Sequence, residues 1–146
     1  MKNIRQATIE DLVRIAEIEI FNYRMNFYPI FRNDGYYFNE LRVDKRAAQL
    51  KTVVDSIWVY DDGAVKGFIQ VDRQKVKKLF VEPVLHGNSI GSELLRYAIG
   101  EFDVNSLWAL EKNVRAIAFY ECHGFRLTGD RMPEDDTEEY LVRLAR

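Results

Sequence analysis

The sequence predicts an α/β (α+β) protein with a central mixed, mostly antiparallel sheet of about seven strands flanked by about four helices. Short runs of β-branched and aromatic residues alternate with segments of helical period, in the order β-α-α-β-β-β-α-β-α-β-β. An Asp-Gly turn joins two of these runs as a hairpin. The 146 residues, 47% hydrophobic and 30% charged, are typical of one globular domain, expected over residues 1–146.

The first strand and the first helix follow each other directly. Residues 4–7 are the first predicted strand, and Thr8 followed by Asp11 is the pattern that caps the start of a helix. The helix places apolar residues at the three- and four-residue spacings of one buried face, at Leu12, Ile15, Ala16 and Ile18. We expect it to end near Tyr28, and a second helix is predicted over residues 43–54.

Residues 21–38 connect these two helices and contain eight aromatic side chains. Pro29 and the Asn-Asp-Gly sequence at residues 33–35 are turn signals. The sequence therefore predicts an irregular connection here. Its aromatic residues are suited to wall a pocket, to pack over the sheet or to form the surface of a homodimer, and the sequence leaves these alternatives open.

Three consecutive strands are predicted in the middle of the chain, at residues 56–60, 64–72 and 76–81. The Asp-Asp-Gly sequence at residues 61–63 joins the first two as a hairpin, because this residue pair suits a tight turn between antiparallel strands. Residues 73–75 form the next tight link. This part of the sheet is therefore expected to be antiparallel.

The second half of the chain begins with the most regular helix. One face of this helix holds six apolar residues, Ile90, Leu94, Leu95, Ala98, Ile99 and Phe102. A strand at 105–110, a helix at 114–123 closed by Gly124, and strands at 125–131 and 137–144 complete the order. The acidic residues 134–136 are expected at the tip of the last hairpin.

Charge and cysteine content exclude several classes of protein. The formal net charge of −2 and the pI near 5.7 provide no basic surplus, which argues against nucleic acid or an anionic membrane as the main partner. The single cysteine, Cys122, has no partner for an internal disulfide, and two histidines make no metal-ligand cluster, so no metal is expected. No signal-peptide pattern or long apolar run is found, and a cytoplasmic protein is predicted.

Residues 79–95 have the layout of an anion site, with a strand, a loop of small residues and then the most regular helix. Unpaired N–H groups and the positive end of the helix dipole attract anions at a helix N-terminus. The P-loop motif and the three-glycine dinucleotide motif are both absent. A plain strand-to-helix turn that uses Gly87 for its backbone angles remains the alternative.

This stretch resembles the first signature of the GNAT superfamily of N-acetyltransferases, Val-x-Pro followed by Arg/Gln-x-x-Gly-x-Gly/Ala at the start of a helix. Val81 and Pro83 match it, and Gly91 occupies its last position. His86 stands where Arg or Gln is usual, and Ser89 where Gly is usual.

The resemblance is stronger downstream and spans the whole chain. Residues 107–125 are similar to the second signature of the family, Asn-x-x-Ala-x-x-Phe-Tyr-Glu-x-x-Gly-Phe, which runs here from Asn113 to Phe125. The resemblance implies a GNAT-like fold and an acyltransferase of the N-acetyltransferase type. Such an enzyme moves an acetyl group from acetyl-CoA, its co-substrate, directly to a primary amine of a small molecule or protein, without a metal.

The resemblance also implies the residues that hold acetyl-CoA. They are Leu79, Phe80, Val81, His86, Gly87, Asn88, Ser89, Ile90, Gly91, Ser92, Asn113 and Tyr120. The amides of Leu79 and Val81 would pair with the pantetheine arm. The amides of Gly87, Ser89, Gly91 and Ser92 would pair with the pyrophosphate. Asn113 is equally suited to be the N-cap of the next helix.

The family pattern makes the hydroxyl of Tyr120 the acid that protonates the departing thiolate, whereas the simplest structural interpretation makes it a core aromatic. Three carboxylates near the central strands, Asp72, Glu82 and Glu111, are not assigned as the base. The aromatic segment at 21–38 would hold the acceptor, walled by Tyr23, Tyr28 and Tyr36, with Arg24 or Arg32 for a carboxylate. The alternative function is a non-catalytic acyl-CoA-binding sensor or regulator.

Overall fold

The computed structural model describes residues 3–146 and contains one seven-stranded sheet in the order β1-β2-β3-β4-β5-β7-β6. The strands are β1 Ile4–Gln6, β2 Ile57–Asp61, β3 Val65–Asp72, β4 Lys75–Val81, β5 Ser106–Leu110, β6 Arg126–Pro133 and β7 Tyr140–Ala145. Neighbouring strands are antiparallel except β4 and β5, which are parallel. The predicted mixed, mostly antiparallel sheet of seven strands is confirmed.

Helices cover both faces of the sheet. They are α1 Leu12–Asn26, α2 Tyr28–Phe31, α3 Val43–Leu50, α4 Ile90–Phe102 and α5 Val114–Cys122, with a π-helical turn at Gly35–Glu40. Helices α1 and α3 share one hydrophobic core with the sheet, and α4 and α5 share the other. Among residues 3–146, no helix combines the length and the hydrophobicity that crossing a bilayer requires.

The irregular connection predicted for residues 21–38 is wrong, since most of this stretch is helical. Helix α1 ends at Asn26, within two residues of its predicted end near Tyr28. Pro29 lies in the first turn of α2, where a missing N–H costs no hydrogen bond. The aromatic side chains stabilise the short helices by packing around the buried Tyr37 and Ile20. Arg32, at φ 51°, provides the left-handed residue that ends α2.

The two helices with the clearest sequence patterns are confirmed. The capping residue Asp11 accepts a hydrogen bond from the N–H of Thr8 at 2.8 Å, and the predicted apolar face of α1 is buried. In α4, the four residues Ile90, Leu94, Leu95 and Ala98 are buried, while Ile99 and Phe102 are partly buried against the same core. The acidic residues at 134–136 lie in the β6–β7 turn, as predicted.

The parallel pair β4 and β5 stays together for only two residue pairs, Lys75↔Ser106 and Val76↔Leu107. Beyond these pairs the strands separate. Opposite β3, the register of β4 shifts so that Lys77 is an extra residue, a β-bulge. A bulge bends its strand, and this bulge lies at the point where β4 separates from β5. The result is a wedge between the carboxyl ends of the two strands.

Helix α4 lies very close to β3 at Gly67. A β-carbon at this position would lie 3.1 Å from the carbonyl oxygen of Phe80 and 3.2 Å from side-chain atoms of Ile90 and Leu94. We predict that Gly67→Ala destabilises the protein by about 1–3 kcal/mol, because the added methyl overpacks the contact.

The matched control is Gly100→Ala in α4, where nothing lies within 4 Å of the added β-carbon. This change is expected to stabilise the helix by up to about 1 kcal/mol, because alanine has the higher helix propensity. Urea unfolding of both variants measures the difference. Equal stability of Gly67→Ala and wild type would contradict the close approach.

Candidate active site

Two cavities meet at the wedge between β4 and β5. The first, of about 360 Å³, is enclosed by the end of β4, the N-terminus of α4 and one side of α5. The predicted cofactor residues that line it are Leu79, Phe80, Val81, His86, Gly87, Ser89, Ile90, Gly91, Ser92, Asn113 and Tyr120. The structure therefore brings together residues separated by more than 40 positions in the sequence.

Asn88 is the one predicted cofactor residue that does not line this cavity. It is exposed, and both its main-chain N–H and its side-chain amide donate to the carbonyl oxygen of Leu85, at 3.3 and 3.1 Å. Asn88 thus stabilises the turn without lining the cavity. The roles of all these residues in binding a cofactor stay predictions.

The N-terminus of α4 presents main-chain N–H groups to the first cavity. Glu93 is the first residue of the helix to bond back, to the carbonyl oxygen of Ser89 at 3.0 Å, so the N–H groups of the preceding turn have no intrahelical acceptor. Gly87 and Ser89 are both left-handed, with φ of 90° and 68°. A β-carbon at Gly87 would meet nothing within 4 Å, which leaves open space in front of the loop.

The open edge of β4 presents two further N–H groups. The N–H of Glu82 donates to the carbonyl oxygen of Lys66 at 2.9 Å, so the N–H group of Glu82 points toward β3. Along a strand, the main-chain N–H groups of successive residues point to opposite edges. The N–H groups of Leu79 and Val81 therefore point into the wedge that β5 has left. An extended ligand that contains amide groups could pair with these two N–H groups as a neighbouring strand would.

A polar residue of α1 that the sequence analysis missed shapes the end of β4. The side chain of Asn22 is buried, and its Nδ2 donates to the carbonyl oxygen of Val81 at 2.9 Å and to that of Ile18 at 2.8 Å. His86 reaches the same Val81 oxygen at 3.0 Å, and since a carbonyl only accepts, Nε2 of His86 carries the proton. His86 therefore holds the loop against β4.

Other residues of the first cavity also escaped the sequence analysis. They are Asn26, Leu85, Arg115, Ala116 and Phe119. Arg115 is an exposed cation at the start of α5, where it adds positive charge beside the N-terminus of α4. An asparagine within an apolar helix face was the one signal that could have identified Asn22.

Asn113 caps α5. Its Oδ1 accepts a hydrogen bond from the N–H of Ala116 at 3.2 Å, which confirms the N-cap interpretation. The same residue lines both cavities, so the cap also places a side-chain amide at the wedge. A contact between Asn113 and a cofactor stays a prediction.

Tyr120 lines both cavities as well and lies where they meet. Its ring is buried against Phe119 and Phe125, with ring centroids 5.2 and 5.8 Å apart, as a core aromatic would be. Burial, with no charged group contributing, raises the pKa of Tyr120 well above its ordinary value of about 10. The hydroxyl therefore remains protonated at neutral pH.

The second cavity, of about 210 Å³, lies on the other side of the wedge. Its walls come from helices α1 and α2, from β4 and β5, and from the β6–β7 turn, which contributes Glu134. Of the tyrosines expected around an acceptor, only Tyr23 lines it, whereas Tyr28 and Tyr36 lie outside both cavities. Arg24 donates to the carbonyl oxygen of Tyr37 at 3.1 Å and also lines neither cavity.

None of the three carboxylates considered as a base lines either cavity. Asp72 is exposed at the end of β3, and Glu82 pairs with Arg14 at 2.7 Å. Glu111 pairs with Arg131 at 3.0 Å, which lowers the pKa of the Glu111 carboxyl. In the described part of the chain, no three His, Cys, Asp or Glu side chains are grouped to hold a metal ion.

Ser89 is held in the left-handed conformation, which costs a residue with a β-carbon about 1 kcal/mol or more. We predict that Ser89→Gly raises the unfolding free energy by up to about 1 kcal/mol, because glycine adopts this conformation without strain. Thermal unfolding without ligand measures the change. Ser89→Ala is the control, since it removes the hydroxyl but keeps the β-carbon, and it is expected to give no gain. Equal gains in both variants would contradict the assignment of strain.

Comparisons with known proteins agree with this geometry. A family model described as an acetyltransferase (GNAT) domain matches residues 54–127, about half of the chain. The peptidyl-lysine N-acetyltransferase YjaB of Escherichia coli (strain K12) is 30% identical over 80 residues, and its Salmonella typhimurium counterpart is 28% identical over 86 residues. These alignments cover 54% and 58% of this chain and 54% and 59% of the relatives, so the chain matches little more than half of their length.

Solved structures share the fold over nearly the whole chain. Apo YjaB from Escherichia coli superposes with a TM-score of 0.74 and 22% identity, covering 97% of this chain and 95% of that one. The PaiA N-acetyltransferase of Thermoplasma acidophilum, solved in complex with coenzyme A, gives a TM-score of 0.75 at 19% identity, with 98% of each chain covered. The sheet, the wedge and the family match together establish that this chain belongs to the GNAT acetyltransferase family.

Proposed function

We propose that this protein is an acetyl-CoA-dependent N-acetyltransferase that moves the acetyl group directly to a primary amine, with lysine side chains of proteins as the acceptor class. Membership of the GNAT family supports the reaction, and the names of the two YjaB relatives support the acceptor. The observation that carries the proposal is the position of Tyr120, whose buried ring lies where the two cavities meet. A cofactor and an acceptor can approach this residue from opposite sides.

We infer that the first cavity is the binding site for acetyl-CoA. The N–H groups of Ile90, Gly91 and Ser92 would hold the pyrophosphate, since a helix N-terminus favours an anion. The free amides of Leu79 and Val81 would hold the pantetheine arm along the edge of β4. When bound, acetyl-CoA supplies a thioester carbonyl that an amine can attack.

The residues at the wedge would stabilise the developing charge and protonate the leaving group. Backbone N–H groups at the open end of β4 are donors for the negative charge that develops on the carbonyl oxygen. As the new N–C bond forms and the C–S bond breaks, Tyr120 would give its hydroxyl proton to the departing thiolate, and the proton that the attacking nitrogen loses as it becomes an amide would restore the Tyr120 hydroxyl. Burial keeps this proton in place at neutral pH, because it raises the pKa of Tyr120.

The second cavity suits an amine carried on a long side chain. Its walls include the aromatic rings of Phe27, Phe31 and Trp108, which offer apolar surface to the methylene groups of lysine. Glu134 lines the same cavity from the acidic β6–β7 turn, and its carboxylate favours the approach of a cation. The acceptor would therefore enter between α2 and this turn.

Turnover of acetyl-CoA with a set of lysine-containing peptides tests the proposal, read as thiol release and as acetylated lysine by mass spectrometry. We predict that Tyr120→Phe lowers kcat by about 100- to 10,000-fold, because the general acid is lost. The dissociation constant of acetyl-CoA should stay unchanged. The limb of the pH profile that belongs to Tyr120 should lie above pH 10, since burial raises its pKa from about 10.

Tyr97→Phe is the matched control, because Tyr97 lies in α4 outside both cavities and packs against Phe102. It should retain wild-type kcat. Full activity of Tyr120→Phe would show that another group is the acid. Tight binding of acetyl-CoA without acetylation of any peptide or small amine would instead indicate a non-catalytic sensor.

A further inference from the structure

A buried charged cluster borders the second cavity. Glu19 in α1 is 1% exposed, and both Arg46 of α3 and Lys78 of β4 donate to its Oε1, at 3.0 and 2.6 Å. Lys78 also donates to the hydroxyl of Tyr23 at 2.8 Å. We call these four residues the Glu19 cluster.

The Glu19 cluster carries an excess of positive charge. Two cations share one carboxylate, and they share a single oxygen of it, since Oε2 of Glu19 is buried without a hydrogen-bond partner in residues 3–146. Burying a charge is costly unless it is paired. One cation would be enough to pair the carboxylate of Glu19 and link α1 to the sheet. The second cation therefore leaves a net charge in a poorly solvated place.

This excess charge acts on whatever enters the second cavity. Both Lys78 and Tyr23 line that cavity, and so does Tyr120, which the proposed function makes the acid. A cation that comes close to a like charge in a desolvated site loses its proton more readily. An alkylammonium group has an ordinary pKa of about 10.4 and must lose a proton before it attacks a thioester.

We propose that Lys78, held in place by Glu19, is a catalytic residue of the acceptor site, whose ammonium charge favours the neutral, nucleophilic form of the incoming amine. This inference rests on the proposed function. The proton leaves the amine for solvent water at the mouth of the cavity, and the nitrogen lone pair is then free to form the bond to carbon. Glu19 acts as a positioning residue through Lys78, and no carboxylate base is required.

The charges around Lys78 from every neighbouring element support this assignment. The titratable groups that interact with the Glu19 cluster or line its cavity are Glu19, Tyr23, Tyr36, Arg46, Lys77, Tyr120 and Glu134. Burial raises the pKa values of the three tyrosines, which stay neutral. Burial lowers the pKa of Lys78, while the carboxylate of Glu19 opposes that change and supports the charged form. Glu134 lines the same cavity and attracts the ammonium group, whereas Lys78 disfavours its positive charge.

The test is the pH profile of kcat, measured at saturating lysine peptide and acetyl-CoA, because kcat reports the pKa of the bound amine. In Lys78→Gln, the limb that rises with pH is expected to move up by on the order of one unit, so that activity falls about tenfold near neutrality and recovers at high pH. Lys78→Arg keeps the charge and should keep the wild-type limb. Lys75→Gln is the control, because Lys75 lies on the same strand but outside both cavities, and it should change nothing.

A purely structural role for Lys78 predicts a loss of activity at every pH, no shift of the limb and no rescue by arginine. This result would overturn the proposal. Glu19→Gln tests the positioning role, and it should lower kcat with the dissociation constant of acetyl-CoA unchanged. If Glu19→Gln left kcat unchanged, Glu19 would not position Lys78.

A binding experiment separates this inference from the proposed function. If no peptide is acetylated, the proposed function fails, and n-butylamine is titrated calorimetrically into the protein saturated with coenzyme A. The Glu19 cluster predicts binding that tightens as the pH rises, with a weaker dependence in Lys78→Gln. Binding that does not depend on pH, or no binding at any pH, would overturn the role of Lys78.

Discussion

The separation of β4 from β5 is the constraint on which the rest of the site depends. The two strands pair at two positions only, and the bulge at Lys77 turns the rest of β4 away. Continued pairing would occupy the amides of Leu79 and Val81 and close both cavities. The unpaired edge therefore creates the groove, the donors along it and the space in which Tyr120 meets both cavities. Packing of both faces of the sheet against helices stabilises this opening.

The loop before α4 depends on the same strand end. Asn22 and His86 both bind the carbonyl oxygen of Val81, so the open end of β4 determines where the helix begins. Close packing of α4 over Gly67 then orients the first turn of α4 toward the groove. Ser89 adopts the strained left-handed conformation at a position where the family usually has glycine. Strain in this loop is consistent with a binding site, because such residues persist only where the surroundings hold them.

The sequence alone predicts most of the fold, because local patterns carry it. The period of α4, the Asp-Asp-Gly turn and the second family signature place strands and helices within a few residues of their observed bounds. The irregular connection predicted for residues 21–38 is wrong, because the short helices there depend on aromatic packing around Tyr37, which local turn signals do not show. Asn22 and Glu19 were missed for a related reason. Each is a polar residue on a buried helix face, and each meets its partner on β4 59 positions away in the sequence.

Amide chemical shifts in nuclear magnetic resonance spectra, recorded during titration with acetyl-CoA, test the central claim most directly. We predict large shifts and slowed hydrogen exchange at Leu79 and Val81, together with the first turn of α4. Lys78 and Phe80 are the internal control, because their amides point toward β3 and are already paired. Equal changes along β4, or none at Leu79 and Val81, would contradict the claim that the open edge of β4 holds the cofactor.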